Sequence, residues 1–209
     1  EDAVSTVIIP ARGKKEVIQR LKVSRPILWD INAPNLYDAH ISVQEKGKII
    51  DAYTQPFGIR TIHYSVKGFF LNGKKIDLNG GCVHHDNGIL GAAAFDRAEF
   101  RKVQMMKSAG FNALRTSHNL PSEAFLEACD RLGMLVIDEA FDGWREAKTP
   151  YDYATLFDKY WQQDIEGMVL RDLNHPSIIA WSIGNEVIER KKIEVVTTAR
   201  KLASKIREY

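Results

Sequence analysis

The feature that most constrains this chain is a repeated alternation of short apolar runs and helical patterns after Gly68. Ile76 to Val83, Ala113 to Ser117, Leu135 to Ile137 and Ile178 to Ile183 read as buried strands. Helices are predicted between and after them. Phe100, Val103 and Met106 share one face at helical spacing, as do Phe125, Leu126, Cys129 and Leu132. Phe157, Trp161, Ile165, Met168 and Val169 mark a longer helix, and Ile193, Val196, Leu202, Ala203 and Ile206 a last one. Asp96-Arg97-Ala98-Glu99 reads as a capping box with Asp96 as N-cap; Gly110 ends that helix, Pro121 opens the next and Gly133 stops it. Parallel strands need helical crossovers, so four strand-helix units predict a parallel sheet with helices outside it. An open doubly wound sheet and a (β/α)8 TIM barrel both begin this way. Residues 68–209 are little more than half of the roughly 250 that a closed barrel takes, so on the barrel reading they form its first half.

Residues 1–67 carry β signals and no helical period. Ala39, Ile41 and Val43 alternate with polar neighbours, Glu45 to Lys48 reads as a turn, and Ile49 to Tyr53 as the returning strand. Ile62, Tyr64 and Val66 alternate again; Val7 to Ile9 and Val17 to Val23 are weaker strand candidates. Five short strands are fewer than the about seven of an immunoglobulin-like sandwich, so a partial sandwich is expected here. Phe70 to Ile76 is a hairpin, because Asn72-Gly73 supplies the two positive-φ positions of a type I′ turn.

Composition narrows the function classes. The net charge is +2, which gives no reason to expect nucleic acid or a membrane surface as partner. No apolar run reaches the roughly 18 residues of a membrane span. Two cysteines, Cys82 and Cys129, make no disulfide framework and read as buried thiols. Residues 1–4, Glu-Asp-Ala-Val, carry no leader pattern, which does not decide the compartment.

Polar residues gather where each strand ends. The first run ends in His84-His85-Asp86, the second contains Arg115 and ends in Ser117-His118-Asn119, the third ends in Asp138-Glu139 and the fourth in Asn185-Glu186. The carboxyl ends of parallel strands form the site in such folds, so a polar pocket is expected there. His84, His118, Asp138 and Glu139 are candidate metal ligands. Adjacent His84 and His85 point to opposite faces of a strand, however, and no His-x-x-x-His or Cys-x-x-Cys is present. Nucleotide-binding and serine-nucleophile motifs are absent, so no cofactor is expected. A carboxylic acid beside an amide, close to Trp181, suits glycosidic chemistry, where one acid protonates the leaving oxygen.

The run from Val169 through Arg171-Asp172-Leu173-Asn174-His175-Pro176 to Trp181-Ser182-Ile183-Gly184-Asn185-Glu186 closely resembles the acid/base signature of glycoside hydrolase family 2. Leu114 to His118, Val136 to Ala140 and Phe70 to Lys74 resemble its second-strand, third-strand and pre-barrel segments. Leu28 to Asp30, Pro34 to Tyr37 and Phe57 to Arg60 resemble its first immunoglobulin-like domain. The resemblance implies a retaining exo-β-glycosidase, β-galactosidase-like, with β-glucuronidase or β-mannosidase as alternatives; a non-catalytic carbohydrate-binding module is the alternative from another class. It implies Glu186 as general acid/base, Asn185 as ligand of the sugar 2-hydroxyl, Arg115 as support of the nucleophile, and His84 and His118 lining the glycone pocket with Asp138 nearby. The family's nucleophile is a Glu on a later strand, expected beyond Tyr209. One branch of the family binds Mg²⁺ just after the third strand, and Phe141-Asp142-Gly143-Trp144 does not reproduce that motif. The expected partners are a carbohydrate and either the remainder of a parent chain or a second copy. His175 is read as structural, Trp144 as a sugar wall or a packing residue, and His40 and His63 as surface residues.

Overall fold

The computed structural model describes residues 2–209. Three sheets follow one another along the chain. Strands β1 (Tyr37–Glu45) and β2 (Lys48–Phe57) form a hairpin closed by Lys46-Gly47, both at positive φ. Strands β3 (Ile62–Ser65), β4 (Gly68–Leu71) and β5 (Lys74–Ile76) make an antiparallel sheet, and Asn72-Gly73, with φ of 52° and 78°, is its expected tight turn. β3 lies before Gly68 and still pairs with β4, so this sheet straddles the change of character in the sequence.

Val7 to Ile9 and Val17 to Val23 are not strands. Their residues are exposed, and no ladder hydrogen bond reaches them among the described residues. A β-rich run becomes a strand only when a neighbour satisfies its amides and carbonyls. Of the five strands expected in residues 1–67, three form: β1 and β2 as a hairpin and β3 against β4, with an isolated bridge between Trp29 and Pro34.

Strands β6 (Gly80–Val83), β7 (Ala113–Thr116), β8 (Leu135–Glu139) and β9 (Ile178–Ser182) form a parallel sheet in chain order. Helices α1 (Asp96–Ser108), α2 (Glu123–Leu132) and α3 (Ala154–Asp172) make the crossovers, and α4 (Glu194–Ile206) follows β9. The caps shift slightly from expectation. Phe95 occupies the N-cap of α1 and Asp96 its first turn, where a carboxylate still favours the helix dipole. Ser122, not Pro121, caps α2: its hydroxyl accepts from the Phe125 amide at 3.2 Å. Gly133 ends α2 at φ 68°, and a Cβ there would stand 2.4 Å from the Ile31 carbonyl oxygen, so only glycine fits. Cys129 is buried, but Cys82 is exposed, because it points to the face of β6 away from the helices.

Alternation splits the sheet. Leu114 and Val136 face α1 and α2 in a core with Val103, Phe125, Leu126 and Met134. Phe157, Ile165, Met168 and Leu202 pack a second core around α3 and α4. The third core seals the amino end of the parallel strands with Trp29, Phe69, Leu71, Leu135 and Ile179. Polar pins reinforce that seal. Trp29 Nε1 donates to the Asp130 carbonyl at 2.8 Å, Tyr64 OH to the Ile179 carbonyl at 2.6 Å, and Lys107 Nζ to the carbonyls of Ile31 and Gly133 at 2.7 and 2.8 Å. Among the described residues, no helix is long and apolar enough to cross a membrane.

The outer edges of β6 and β9 carry no neighbouring strand among the described residues, and Val4, Ile8, Ile18 and Ile27 are exposed. Open edges and apolar surface favour association. The isolated chain is therefore expected to sediment as species heavier than its 23.7 kDa monomer. A monodisperse monomer with a cooperative melt would contradict this.

Candidate active site

Register aligns Cys82, Arg115, Ile137 and Ala180 across the four strands. Two residues further on, β8 presents Glu139 on the same face, opposite Ser182 of β9. Glu139 is fully buried and surrounded by donors. Arg115 donates to its Oε2 from Nε at 2.9 Å and from Nη2 at 2.6 Å. Ser182 Oγ donates to the same oxygen at 2.5 Å, and His118 Nδ1 lies 2.8 Å from Oε1. An ionised carboxylate only accepts, so His118 Nδ1 carries a proton and its Nε2 is left for the open face. The Glu139 amide donates to Thr116 Oγ1 at 3.0 Å. The His84 ring packs edge-on against His118, with centroids 5.2 Å apart.

Arg115 Nη2 also donates to Asn185 Oδ1 at 2.9 Å. Burial alone would lower the Arg115 pKa; the Glu139 bond and charge outweigh it, and the guanidinium is held more firmly protonated than usual. The other end of the Asn185 amide, Nδ2, donates to Asp142 Oδ1 at 3.0 Å. Partial burial pushes the Asp142 carboxyl up, but hydrogen bonds from Lys148 and Asn185 and the Lys148 charge win and lower it. Glu186 follows Asn185 with an exposed side chain and a φ of 40°, a left-handed backbone that costs a residue with a Cβ about 1–2 kcal/mol. Such strain concentrates at functional sites and persists where neighbours over-determine it.

Arg115, His118 and Asn185 thus meet through hydrogen bonds at the carboxyl ends of the strands, with His84 against His118 and Glu186 next in the chain to Asn185. Asp138 does not join them. It alternates with Glu139 and so faces the helices, where it is fully buried beside Asp172 and Arg171. Arg171 pairs with Asp172 at 2.5 and 2.7 Å and donates to the Pro121 carbonyl at 2.9 Å. Two ionised carboxylates cannot bond to each other, but a protonated Asp138 can donate to Asp172. Of the adjacent acids that end the third strand, it is Glu139, given no sugar-site role by the resemblance, that enters the pocket, and counting alternation from Arg115 through its register partner Ile137 identifies it. His175 lies at the other end of the sheet, its Nδ1 2.6 Å from Asp130 Oδ2. Trp144 is buried and donates from Nε1 to the Ile183 carbonyl at 2.7 Å, which makes it a packing residue of the site's rim. Among the described residues, no group of three or more His, Cys, Asp or Glu side chains is arranged to hold a metal ion.

Residues 62–208 match the family model described as glycosyl hydrolases family 2, TIM barrel domain, and residues 1–60 match the model described as glycosyl hydrolases family 2. A β-galactosidase of Bacteroides ovatus is 48% identical over 183 residues, covering 86% of this chain and 22% of that protein. A β-glucuronidase of Streptococcus agalactiae is 32% identical over 178 residues, covering 80% and 30%. A solved glycosyl hydrolase family 2 member from Bacteroides cellulosilyticus superposes with a TM-score of 0.85 at 54% identity, covering 88% of this chain and 24% of that one. The chain therefore spans between a fifth and a third of the length of these relatives.

Asp138 gives the site region a pH signature. Burial and the neighbouring Asp172 charge push its carboxyl up to about 8. A folded-state pKa above the unfolded value means that the folded state binds the extra proton. The stability this confers is complete below pH 4 and is lost as pH rises toward 8. Asp138→Asn mimics the protonated form and should flatten the fall in urea midpoint between pH 5 and pH 9. Parallel pH curves for the wild type and the variant would count against this assignment.

Proposed function

Because the chain belongs to glycoside hydrolase family 2, we propose that it supplies the acid/base half of a retaining exo-β-glycosidase, β-galactosidase-like in its choice of terminal β-linked sugar. One observation supports the reading: Asn185, its amide held by Arg115 and Asp142, directly precedes Glu186, whose left-handed backbone lies just past the carboxyl end of β9.

In this mechanism Glu186 protonates the glycosidic oxygen as the bond to the anomeric carbon breaks. The nucleophilic carboxylate, from a later strand, forms the covalent glycosyl-enzyme. Glu186 then takes a proton from water, whose oxygen attacks the anomeric carbon and frees sugar and nucleophile. Asn185 binds the 2-hydroxyl, using the capacity of its amide that Arg115 and Asp142 leave free. Arg115, already charged and oriented by Glu139, supports the nucleophile. His118, with Nδ1 committed to Glu139, and His84 line the glycone pocket. Asp138 has no part in it, since it faces the helices.

The galactoside reading follows from the 48% identity to the Bacteroides ovatus β-galactosidase; the 32% identity to the streptococcal β-glucuronidase keeps a glucuronide as the second reading. Chromogenic β-galactoside, β-glucuronide and β-mannoside given to the full-length protein separate them. In that protein, Glu186→Ala should slow a β-galactoside with a sugar leaving group about 10²–10⁴-fold, the usual worth of a general acid. A nitrophenyl leaving group needs little protonation and should suffer far less in the first step. Azide should then restore turnover by trapping the intermediate as a glycosyl azide. Equal losses on both substrates with no azide effect would show that Glu186 is not the acid/base.

A further inference from the structure

We propose that Lys148 and Asp142, on the loop after β8, are positioning residues that brace the Asn185–Glu186 segment for catalysis; this rests on the roles given to Asn185 and Glu186 above. The Lys148 ammonium makes three short hydrogen bonds, one for each of its protons. Nζ donates to Asp142 Oδ1 at 2.8 Å, to the Asp142 carbonyl at 2.9 Å and to the Asn185 carbonyl at 2.8 Å. Asp142 passes the restraint on. Its Oδ1 accepts from Asn185 Nδ2 at 3.0 Å, and its carbonyl accepts from the Asn185 amide at 3.2 Å. Side chain and backbone of Asn185 are therefore both tied to one loop by one cation. With Oδ1 held by Arg115, the amide cannot flip without breaking a bond at either end.

The same loop grips the chain on both sides of Glu186. Upstream, the Trp144 indole donates to the Ile183 carbonyl at 2.7 Å and fills the space over Gly184, where a Cβ would stand 2.7 Å from Nε1. Downstream, buried Glu189 accepts from the amides of Arg145 and Glu146 at 2.6 and 2.8 Å. Between these anchors sits the positive φ of Glu186. A left-handed backbone at a residue with a Cβ relaxes unless its flanks are fixed, and this loop fixes them. Lys148 is the one side chain of the loop that reaches the peptide directly before Glu186.

The predicted consequence is specific. Asn185 acts on the sugar 2-hydroxyl, and that contact strengthens in the transition state. A loosened brace should cost kcat on a 2-hydroxyl substrate and cost little on a 2-deoxy substrate, which never made the contact. The test compares nitrophenyl β-galactoside with its 2-deoxy analogue in the full-length wild-type protein and in Lys148→Met, Lys148→Arg and Asp142→Asn. Lys148→Met should lower kcat on the parent sugar about 10- to 100-fold, the cost of misplacing a reacting group by about an ångström. KM should stay within about threefold, as for an interaction made chiefly in the transition state. The rate ratio of parent to 2-deoxy substrate should shrink by a similar factor. Lys148→Arg should recover part of both quantities, and Asp142→Asn should lie between the wild type and Lys148→Met.

Unchanged ratios in Lys148→Met and Asp142→Asn would overturn the brace, whether or not the overall rate falls, because a general loss of structure lowers both substrates together. Should Lys148→Met not fold, Asp142→Ala, which removes the oxygen shared by Lys148 and Asn185, decides alone. Failure of the underlying reading looks different: the wild type turns over no β-glycoside, or Glu186→Ala leaves its rate intact.

Discussion

Everything at the carboxyl end of the parallel sheet depends on one buried carboxylate. Glu139 has no solvent contact, and an isolated charge in that position would be costly by several kcal/mol. It is tolerated because Arg115, His118 and Ser182 converge on its two oxygens from the ends of β7 and β9 and the loop after β7. Desolvation and attraction are both large here, so the net gain in stability is small. The gain is geometric: one anion sets the guanidinium, the imidazole tautomer and, through Arg115, the Asn185 amide. Removing Arg115 would leave the buried charge without its cation, at about 3–5 kcal/mol, which couples the integrity of the site to the integrity of the sheet.

The two ends of the sheet divide the labour. At the amino end, Trp29, Leu71 and Leu135 are fully buried. There Asp130 accepts from the Ser177 amide at 3.1 Å and meets His175 at 2.6 Å. Burial pulls the His175 pKa down, but the bond and charge of Asp130 raise it above the usual value. Arg60 donates to the Ile178 carbonyl at 2.5 Å on the same side. These contacts hold strands and have no open face to offer a ligand. At the carboxyl end, polar groups keep part of their hydrogen-bonding capacity free, and the only strained backbone on β9's outgoing loop belongs to Glu186. Binding at the carboxyl end and stability at the other is the usual partition of such barrels.

Much of this arrangement was legible in the sequence, for physical reasons that also explain the misses. The β-α alternation after Gly68 is long and strongly periodic, and glycine stops such as Gly110 and Gly133 mark helix ends by chain geometry alone. The gathering of His84, Arg115, His118, Asn185 and Glu186 at strand ends followed from that alternation. Asp138 faces the helices and Glu139 the pocket because adjacent acids at a strand end point in opposite directions, and only the register with Arg115 decides between them. Val7 to Ile9 and Val17 to Val23 read as strands because β propensity describes a residue's fit to a sheet without supplying the neighbouring strand. Asp142, Lys148 and Glu189 were invisible as site residues: their roles arise from two loops meeting across a gap of some forty residues in sequence, which no periodicity encodes.

The most direct measurement is a crystal structure of the full-length protein bound to a galactose-configured iminosugar, a mimic of the positively charged transition state. The account predicts the sugar at the carboxyl ends of β6 to β9, with the Glu186 carboxylate and the Asn185 amide within hydrogen-bonding distance of it and the Arg115–Glu139 pair intact beneath. A sugar bound elsewhere, with Glu186 and Asn185 out of contact, would contradict it.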